Sequence, residues 1–448
     1  MAKNEENSSN TPKVVHYVIV VHGIGQQRKN ETVLPVIKQF AAVRHEDPNQ
    51  AGFLSLGRLT SQSIEHPWIE YKGIPPQADD TLKKKPWIPI VETDKQGNNI
   101  RFVDFCWSDI TQKHHKEVGE TTKRWSDSLI NRLKLRVVLE KQLKEDQSKE
   151  EKPKEEKPKE GESVSSQWIV EMMETMQKGM LLIESVMSLR LPKLSHEIFG
   201  EFLGDVEMYG NFPDTRGKAV RRFHETMEEV HQAHDKEFGN KVAPHYTIIA
   251  HSLGTVMTMD AITYAHASEQ SRSSVLRSAL DGDVVHFPGY VNVNDKKSQI
   301  LPSVDWVKYL YSYVTLGSPI DKYLALWTDN YIHFSNTSWM DKEFVTDRKT
   351  KVRHFNYSDE QDPVGHELNI LQTTPVWNEL MEKGEDIVFT RYSIPGVAHV
   401  EYWGDHELFH RIVDLSIDNR NQSVTENKEP KGHSVEWFKK SVYHLALF

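Results

Sequence analysis

Apolar residues in this chain follow two different periods, and the alternation between them predicts the architecture. Residues 14–21 are almost all β-branched or aromatic, without the polar alternation of a strand that faces water on one side. A strand covered on both faces, as in a parallel sheet, reads this way. Residues 100–107, 245–250, 309–316 and 352–357 repeat the signal. Between them the spacing becomes helical: Val33, Val36, Ile37, Phe40 and Val43 share one face, and residues 216–238 and 255–263 continue the pattern. Strands alternating with helices predict an α/β fold on a mostly parallel, doubly wound sheet. Residues 51–100 mix short apolar runs with Pro and Gly and point to no single element.

One stretch breaks the rhythm. Residues 145–165 are dominated by Lys, Glu and Pro, with Lys149-Glu150-Glu151-Lys152-Pro153 repeated from Lys154 to Pro158. A segment with so little apolar surface has nothing to offset its ordering entropy and is expected to be a disordered linker. Residues 168–187 follow with amphipathic spacing and a wide face holding Met172, Met173, Met176 and Met180. Methionines make an adaptable apolar surface that suits a lid over a hydrophobic substrate and an ordinary core helix equally well. Glu171, Glu174, Lys178 and Glu184 argue against a membrane span there and leave transient contact with a membrane surface open. The expected organisation is a disordered tail over 1–11 and one domain over 12–448. A helical cap is inserted at 108–212 and contains the linker 145–165.

The densest chemical signal is His245-Tyr246-Thr247-Ile248-Ile249-Ala250-His251-Ser252-Leu253-Gly254. A β-rich run turns abruptly at Ser252 and continues as a helix, with Ala250 and Gly254 two residues to either side. A turn that lifts a nucleophilic hydroxyl clear of a sheet requires small residues at those places, and the helix N-terminus beside it favours developing negative charge. Ala250 stands where the usual pattern has Gly, a departure of one methyl. An unremarkable Ser in a strand-to-helix turn is the competing reading. The first strand runs into His22-Gly23-Ile24-Gly25-Gln26-Gln27. Gly23 would let the chain turn so that the Ile24 N–H, with the Leu253 N–H, faces a substrate carbonyl oxygen; each such donor lowers the barrier by about 3 kcal/mol. His22 and Gly23 support that loop. A phosphate-binding loop is disfavoured, because the third glycine of the dinucleotide pattern and the Lys-Ser/Thr of a P-loop are missing.

A serine hydroxyl needs a histidine to take its proton and a carboxylate to orient the histidine. In elbow-type hydrolases both follow the serine, each on a loop after a strand. Pro363 ends the pairing of the strand at 352–357, which puts Asp362 on such a loop; Asp359 is second choice and Asp321 third. His399 follows a strand-like run and a Pro-Gly turn and is the expected base. His251 points away from the serine in this geometry and is given a packing role. His406 and His410 have i, i+4 spacing but no further ligands nearby, so they are read as solvent-facing. The adjacent His114 and His115 need no special role.

Composition narrows the field further. The 448 residues carry 55 Lys+Arg against 65 Asp+Glu, a net charge of −10, which gives no basis for general nucleic-acid binding. Cys106 is the only cysteine, so no disulfide framework or multi-thiolate zinc site is expected. A mean hydropathy of −0.60 points to polar segments that dilute the average. No signal-like N-terminus or apolar span is present, so a cytoplasmic, soluble chain is expected, export by a signal-less route remaining open.

Taken in order, His22-Gly23-Ile24-Gly25-Gln26-Gln27, Ala250-His251-Ser252-Leu253-Gly254, Leu316-Gly317-Ser318-Pro319, Asp362-Pro363-Val364 and His399-Val400-Glu401-Tyr402-Trp403 resemble lipase-like serine α/β-hydrolases. That group includes serine esterases and GPI-inositol-deacylase-like lipases. The Leu-Gly-Ser-Pro and Asp-Pro-Val pieces are similar to intracellular phospholipases with a DDHD domain. The resemblance covers about half the chain, chiefly its strands. It implies an α/β-hydrolase fold, a catalytic triad of Ser252, Asp362 and His399, an ester or lipid substrate, an acyl-enzyme, and no cofactor or metal. A catalytically silent binding module and an amidase or thioesterase of the same fold are the alternatives.

Overall fold

The computed structural model describes residues 14–23, 32–44, 58–61, 69–72, 88–93, 99–112, 206, 208–272, 302–342, 351–362, 364–392 and 398–417. The tail 1–11, the linker 145–165, the Met-rich segment 168–187, His114, His115 and Ile24 lie outside the described residues.

Strand β1 (Val14–Val21) shows why the fold is layered. Val15, Tyr17, Ile19 and Val21 enter one hydrophobic cluster, while Val18 and Val20 enter another on the opposite face. Side chains alternate across a strand, so a run apolar at both parities must have two covered faces. The first cluster is closed by α3 (Pro213–Phe238) and α4 (Leu253–Ala265), and the second by α1 (Val33–Arg44) and α9 (His406–Ile412).

The remaining strands of this sheet are β4 (Ile88–Thr93), β5 (Asn99–Phe105), β6 (Ala243–His251), β7 (Leu310–Leu316), β8 (Val352–Asp359) and β9 (Met381–Phe389). They form seven strands in the order β4-β5-β1-β6-β7-β8-β9. Every pairing is parallel except β4–β5, which is antiparallel at the edge. The chain is thus a doubly wound α/β protein with a mostly parallel sheet. The ambiguous stretch 51–100 supplies that edge strand and a separate hairpin of β2 (Arg58–Ser61) and β3 (Ile69–Lys72).

Strand order fixes where a site can form. The connection from β1 leads to β5 on one side, and the chain then crosses back to β6 on the other. The crevice between β1 and β6 at their carboxyl ends is the topological switch point, where open α/β sheets bind ligands. The long excursion between β5 and α3 starts and finishes at this same rim. Its start is α2 (Ser108–Gln112), just past the end of β5, and Asp109 there forms an ion pair with Arg222 of α3.

Two helices follow directly from their sequences. In α3, Pro213 opens the helix at a position that needs no N–H, and Ala219, Val220, Phe223, Met227 and Val230 form its buried stripe. Helix α4 is buried all round, so its polar side chains bond internally. The Thr255, Thr258 and Thr263 hydroxyls donate to the carbonyls of Ser252, Gly254 and Met259, and Tyr209 donates to Asp260 at 2.8 Å.

Candidate active site

Strand β6 ends at His251 and α4 begins at Leu253, leaving Ser252 alone to make the turn. Its backbone sits at φ 54°, ψ −133°, and it is the one non-glycine residue at positive φ among the described residues. Such a conformation costs about 1–3 kcal/mol and persists only where its surroundings enforce it. Here the Ser252 N–H donates to the Leu316 carbonyl at 3.0 Å, tying the bend to β7. The bend also packs against the end of β1. A Cβ on Gly254 would stand 2.3 Å from the His22 oxygen, and one on Gly23 would stand 2.5 Å from the Ser252 Cβ. The methyl of Ala250 is wholly buried within β6, so the departure from glycine is accommodated.

Three side chains distant in sequence form a hydrogen-bonded row at these strand ends. The Ser252 Oγ lies 2.8 Å from His399 Nε2, and His399 Nδ1 lies 3.0 Å from both carboxylate oxygens of Asp362. His399 is held on the short helix α8 (Ala398–Glu401), and Asp362 on the turn just after β8. All three are buried. The Val364 N–H donates to Asp362 Oδ1 at 2.8 Å and the Tyr402 hydroxyl donates to Oδ2 at 2.6 Å. Burial opposes the charge of Asp362, but His399, Tyr402 and Val364 together outweigh it and hold its carboxyl well below the usual carboxylate range.

Gly317 forms the floor of this pair. It sits at φ +55°, and a Cβ there would lie 2.7 Å from Asp362 Oδ2 and 3.1 Å from His399 Nδ1. Gly317→Ala is expected to push the carboxylate or the imidazole aside and lower any turnover about 10²-fold. Steady-state rates beside thermal melts check whether the loss exceeds that of stability. Behind the acid, the buried Lys322 of α5 (Ile320–Leu326) donates to the Val364 carbonyl at 2.8 Å. Burial pulls the Lys322 pKa down to about 7, with the Asp362 charge opposing.

The other carboxylates considered do different work. Asp359 accepts the N–H groups of Gln361, Arg391 and Tyr392, which ties the end of β8 to the segment after β9. Asp321 accepts the Ile370 and Leu371 N–H groups and caps α6 (Asn369–Thr373), which is followed by α7 (Pro375–Leu380). Neither has a hydrogen bond to His399 among the described residues. His251 packs its ring 4.7 Å from that of His399 and donates from Nε2 to the His399 carbonyl, so it anchors the main chain of that residue as well as packing. His410 pairs with Asp414 at 3.1 Å, and His406 is exposed. No group of three or more His, Cys, Asp or Glu side chains is placed to hold a metal ion among the described residues.

On the β1 side, His22 Nδ1 donates to the Gly23 carbonyl at 2.8 Å, which leaves Nε2 to accept the Trp107 N–H at 3.3 Å. Both bonds fix the ring and the turn it starts. Leu253 opens α4, and the N–H groups of a first helical turn have no acceptor within the helix. The arrangement therefore presents a hydroxyl against an imidazole whose far nitrogen is committed to a carboxylate. An imidazole so held presents its near nitrogen to the hydroxyl as a proton acceptor.

The sequence motifs did not reveal the parts played by Tyr402, Gly317 and Lys322, nor the bond that His251, expected to pack, makes to the His399 carbonyl. Each lay next to or inside a quoted motif, but only contacts between strands assign them. No family model matches this sequence, and neither a curated protein nor a solved structure matches it. Among the described residues no helix is long and apolar enough to cross a membrane.

Proposed function

We propose that this chain is a serine hydrolase of the α/β-hydrolase kind, cleaving carboxylic esters with apolar acyl groups through an acyl-enzyme. The observation that carries the proposal is the row Ser252–His399–Asp362, with its serine strained into an elbow at the sheet's switch point. In the first half-reaction His399 Nε2 takes the Ser252 proton as Oγ attacks the ester carbonyl. Asp362 stabilises the imidazolium that forms, and the Leu253 N–H, with Ile24 proposed as second donor, faces the oxyanion. His399 then gives the proton to the departing alcohol. Water, deprotonated by the same imidazole, cleaves the acyl-enzyme and frees Ser252. Each of these elements supplies a recognised part of the barrier reduction, about 10²–10⁴-fold for proton transfer alone.

The preference for apolar acyl groups rests on the Met-rich stretch at 168–187 and on the sequence resemblance; amide and thioester substrates use the same machinery. Labelling with a fluorophosphonate, followed by peptide mapping, tests the reaction. A single adduct on Ser252 is expected, together with turnover of p-nitrophenyl butyrate above that of the corresponding anilide. Folded protein that takes no label and turns over no ester, with or without mild detergent, would make the chain a silent binding module.

A further inference from the structure

Asp362 is gripped twice by the turn that carries the base. His399 and Tyr402 lie three residues apart, where one helical turn brings side chains to the same face. His399 Nδ1 meets both carboxylate oxygens, and the Tyr402 hydroxyl meets Oδ2 at 2.6 Å. The direction of the phenol bond is settled by its other partner. The Asp359 N–H donates to the Tyr402 oxygen at 2.9 Å, so the phenol proton is the one left to point at Asp362. The ring is fully buried, with Phe389 and Tyr392 edge-on at 6.2 and 5.5 Å and His251 at 5.8 Å. It has no room to swing away. The chain from Asp359 N–H through the phenol to Asp362 also ties the carboxylate to the end of β8, the strand that delivers it.

We infer that Tyr402 is a positioning residue for the acid–base pair: its hydroxyl holds the Asp362 carboxylate in the orientation that receives His399 Nδ1–H. This rests on the serine-hydrolase reading for its consequence in turnover, but not for its effect on the imidazole. The bond withdraws electron density from the carboxylate and fixes its angle to the imidazole Nδ1–H. Burial, and next the Asp362 charge, push the phenol pKa far up, so the hydroxyl remains a donor throughout the working pH range. The other titratable groups around the pair are His251 on β6, Lys322 on α5, and Asp359 and His366 flanking the acid turn. Tyr402→Phe leaves all of them in place.

The test compares wild type with Tyr402→Phe in two readouts. In the first, the low-field Nδ1–H resonance of His399, assigned by its loss in His399→Gln, is recorded by NMR at one fixed pH. Without the phenol proton the carboxylate accepts more strongly from Nδ1–H, and that resonance is expected to move downfield. In the second, kcat for p-nitrophenyl butyrate should fall about tenfold with KM unchanged. A Tyr402→Phe protein that melts lower but keeps both the Nδ1–H resonance and kcat would reduce Tyr402 to packing and overturn the inference. A shifted Nδ1–H resonance in a protein whose wild type shows no ester turnover would instead sink the hydrolase reading and leave the positioning role standing.

Discussion

Ser252→Ala is expected to cut ester turnover by about 10⁵-fold while the protein melts within a few degrees of wild type. The size follows from the proposed mechanism: with Oγ removed, the imidazole and carboxylate have nothing to activate, and only binding and the proposed oxyanion donors remain. Stability should be nearly untouched, because the main-chain bond from Ser252 to Leu316 and the packing of Gly254 on His22 do not involve the hydroxyl. Ser252→Gly should be equally inactive yet more stable by about 1 kcal/mol, since φ 54° strains any residue with a Cβ. Asp362→Asn is expected to lower turnover about 10⁴-fold by favouring the wrong imidazole tautomer. Asp359→Asn should act on stability, because its carboxylate serves backbone N–H groups. Turnover in Asp362→Asn above a tenth of wild type would remove Asp362 as the acid.

Acidification from pH 7.5 to 5 should destabilise the fold strongly. His224, His251, His333, His354 and His366 are each pulled down to about 3, burial being the leading cause in every case. They stay neutral in the native state while the unfolded chain takes up protons below its ordinary pKa of about 6.5. A group with a depressed base pKa therefore loses stability as pH falls, here about 2 kcal/mol per histidine between 6.5 and 5. Asp260 and Asp321 work in the opposite direction. Burial raises both to about 7, so the native state holds their protons where the unfolded chain does not. Between pH 7 and 5 they return about 3 kcal/mol each. Lys322, at about 7, is largely protonated in both states below pH 6.5 and adds little. The histidines win by several kcal/mol, a sizeable share of the 5–15 kcal/mol typical of a domain. Urea unfolding at the two pH values measures this, and an equal or higher midpoint at pH 5 would refute it. His224, whose two ring nitrogens have no hydrogen-bond partner among the described residues and whose ring lies against Tyr264 and Trp306, is the clearest single contributor. His224→Phe should weaken the pH dependence by about 2 kcal/mol.

The parts of the molecule legible in sequence are those whose cause is local. Residues 14–21 announce a doubly covered strand because both parities are apolar, and β1 occupies those residues. The abrupt change of period at Ser252 reflects a turn made by one residue, and Pro363 marks a break beside Asp362. Boundaries are less legible where a side-chain or main-chain partner from elsewhere extends an element. Strand β8 runs on to Asp359, two residues past the apolar run, because β9 pairs with it there, and residues 305–309 form a 3₁₀ turn before β7. Edge strand β4 is hard to read because, among the described residues, it pairs with β5 alone and its pattern need satisfy only that neighbour. Tyr402 and Gly317 were invisible as parts of the site for another reason. Nothing in their own neighbourhoods requires a phenol or a missing Cβ; the requirement comes from Asp362, on another strand.

The position of the long excursion between α2 and α3 bears on how such a protein can change. Both of its ends are rooted at the rim that holds Ser252, and the Asp109–Arg222 pair ties α2 to the body of α3. Closing a connection of this kind costs only about 0.6 kcal/mol more for each doubling of its length. Evolution can therefore lengthen, shorten or rewrite the excursion almost without thermodynamic penalty, while the seven strands and their crevice stay as they are. The sequence between those two roots can be rewritten over a framework that stays the same.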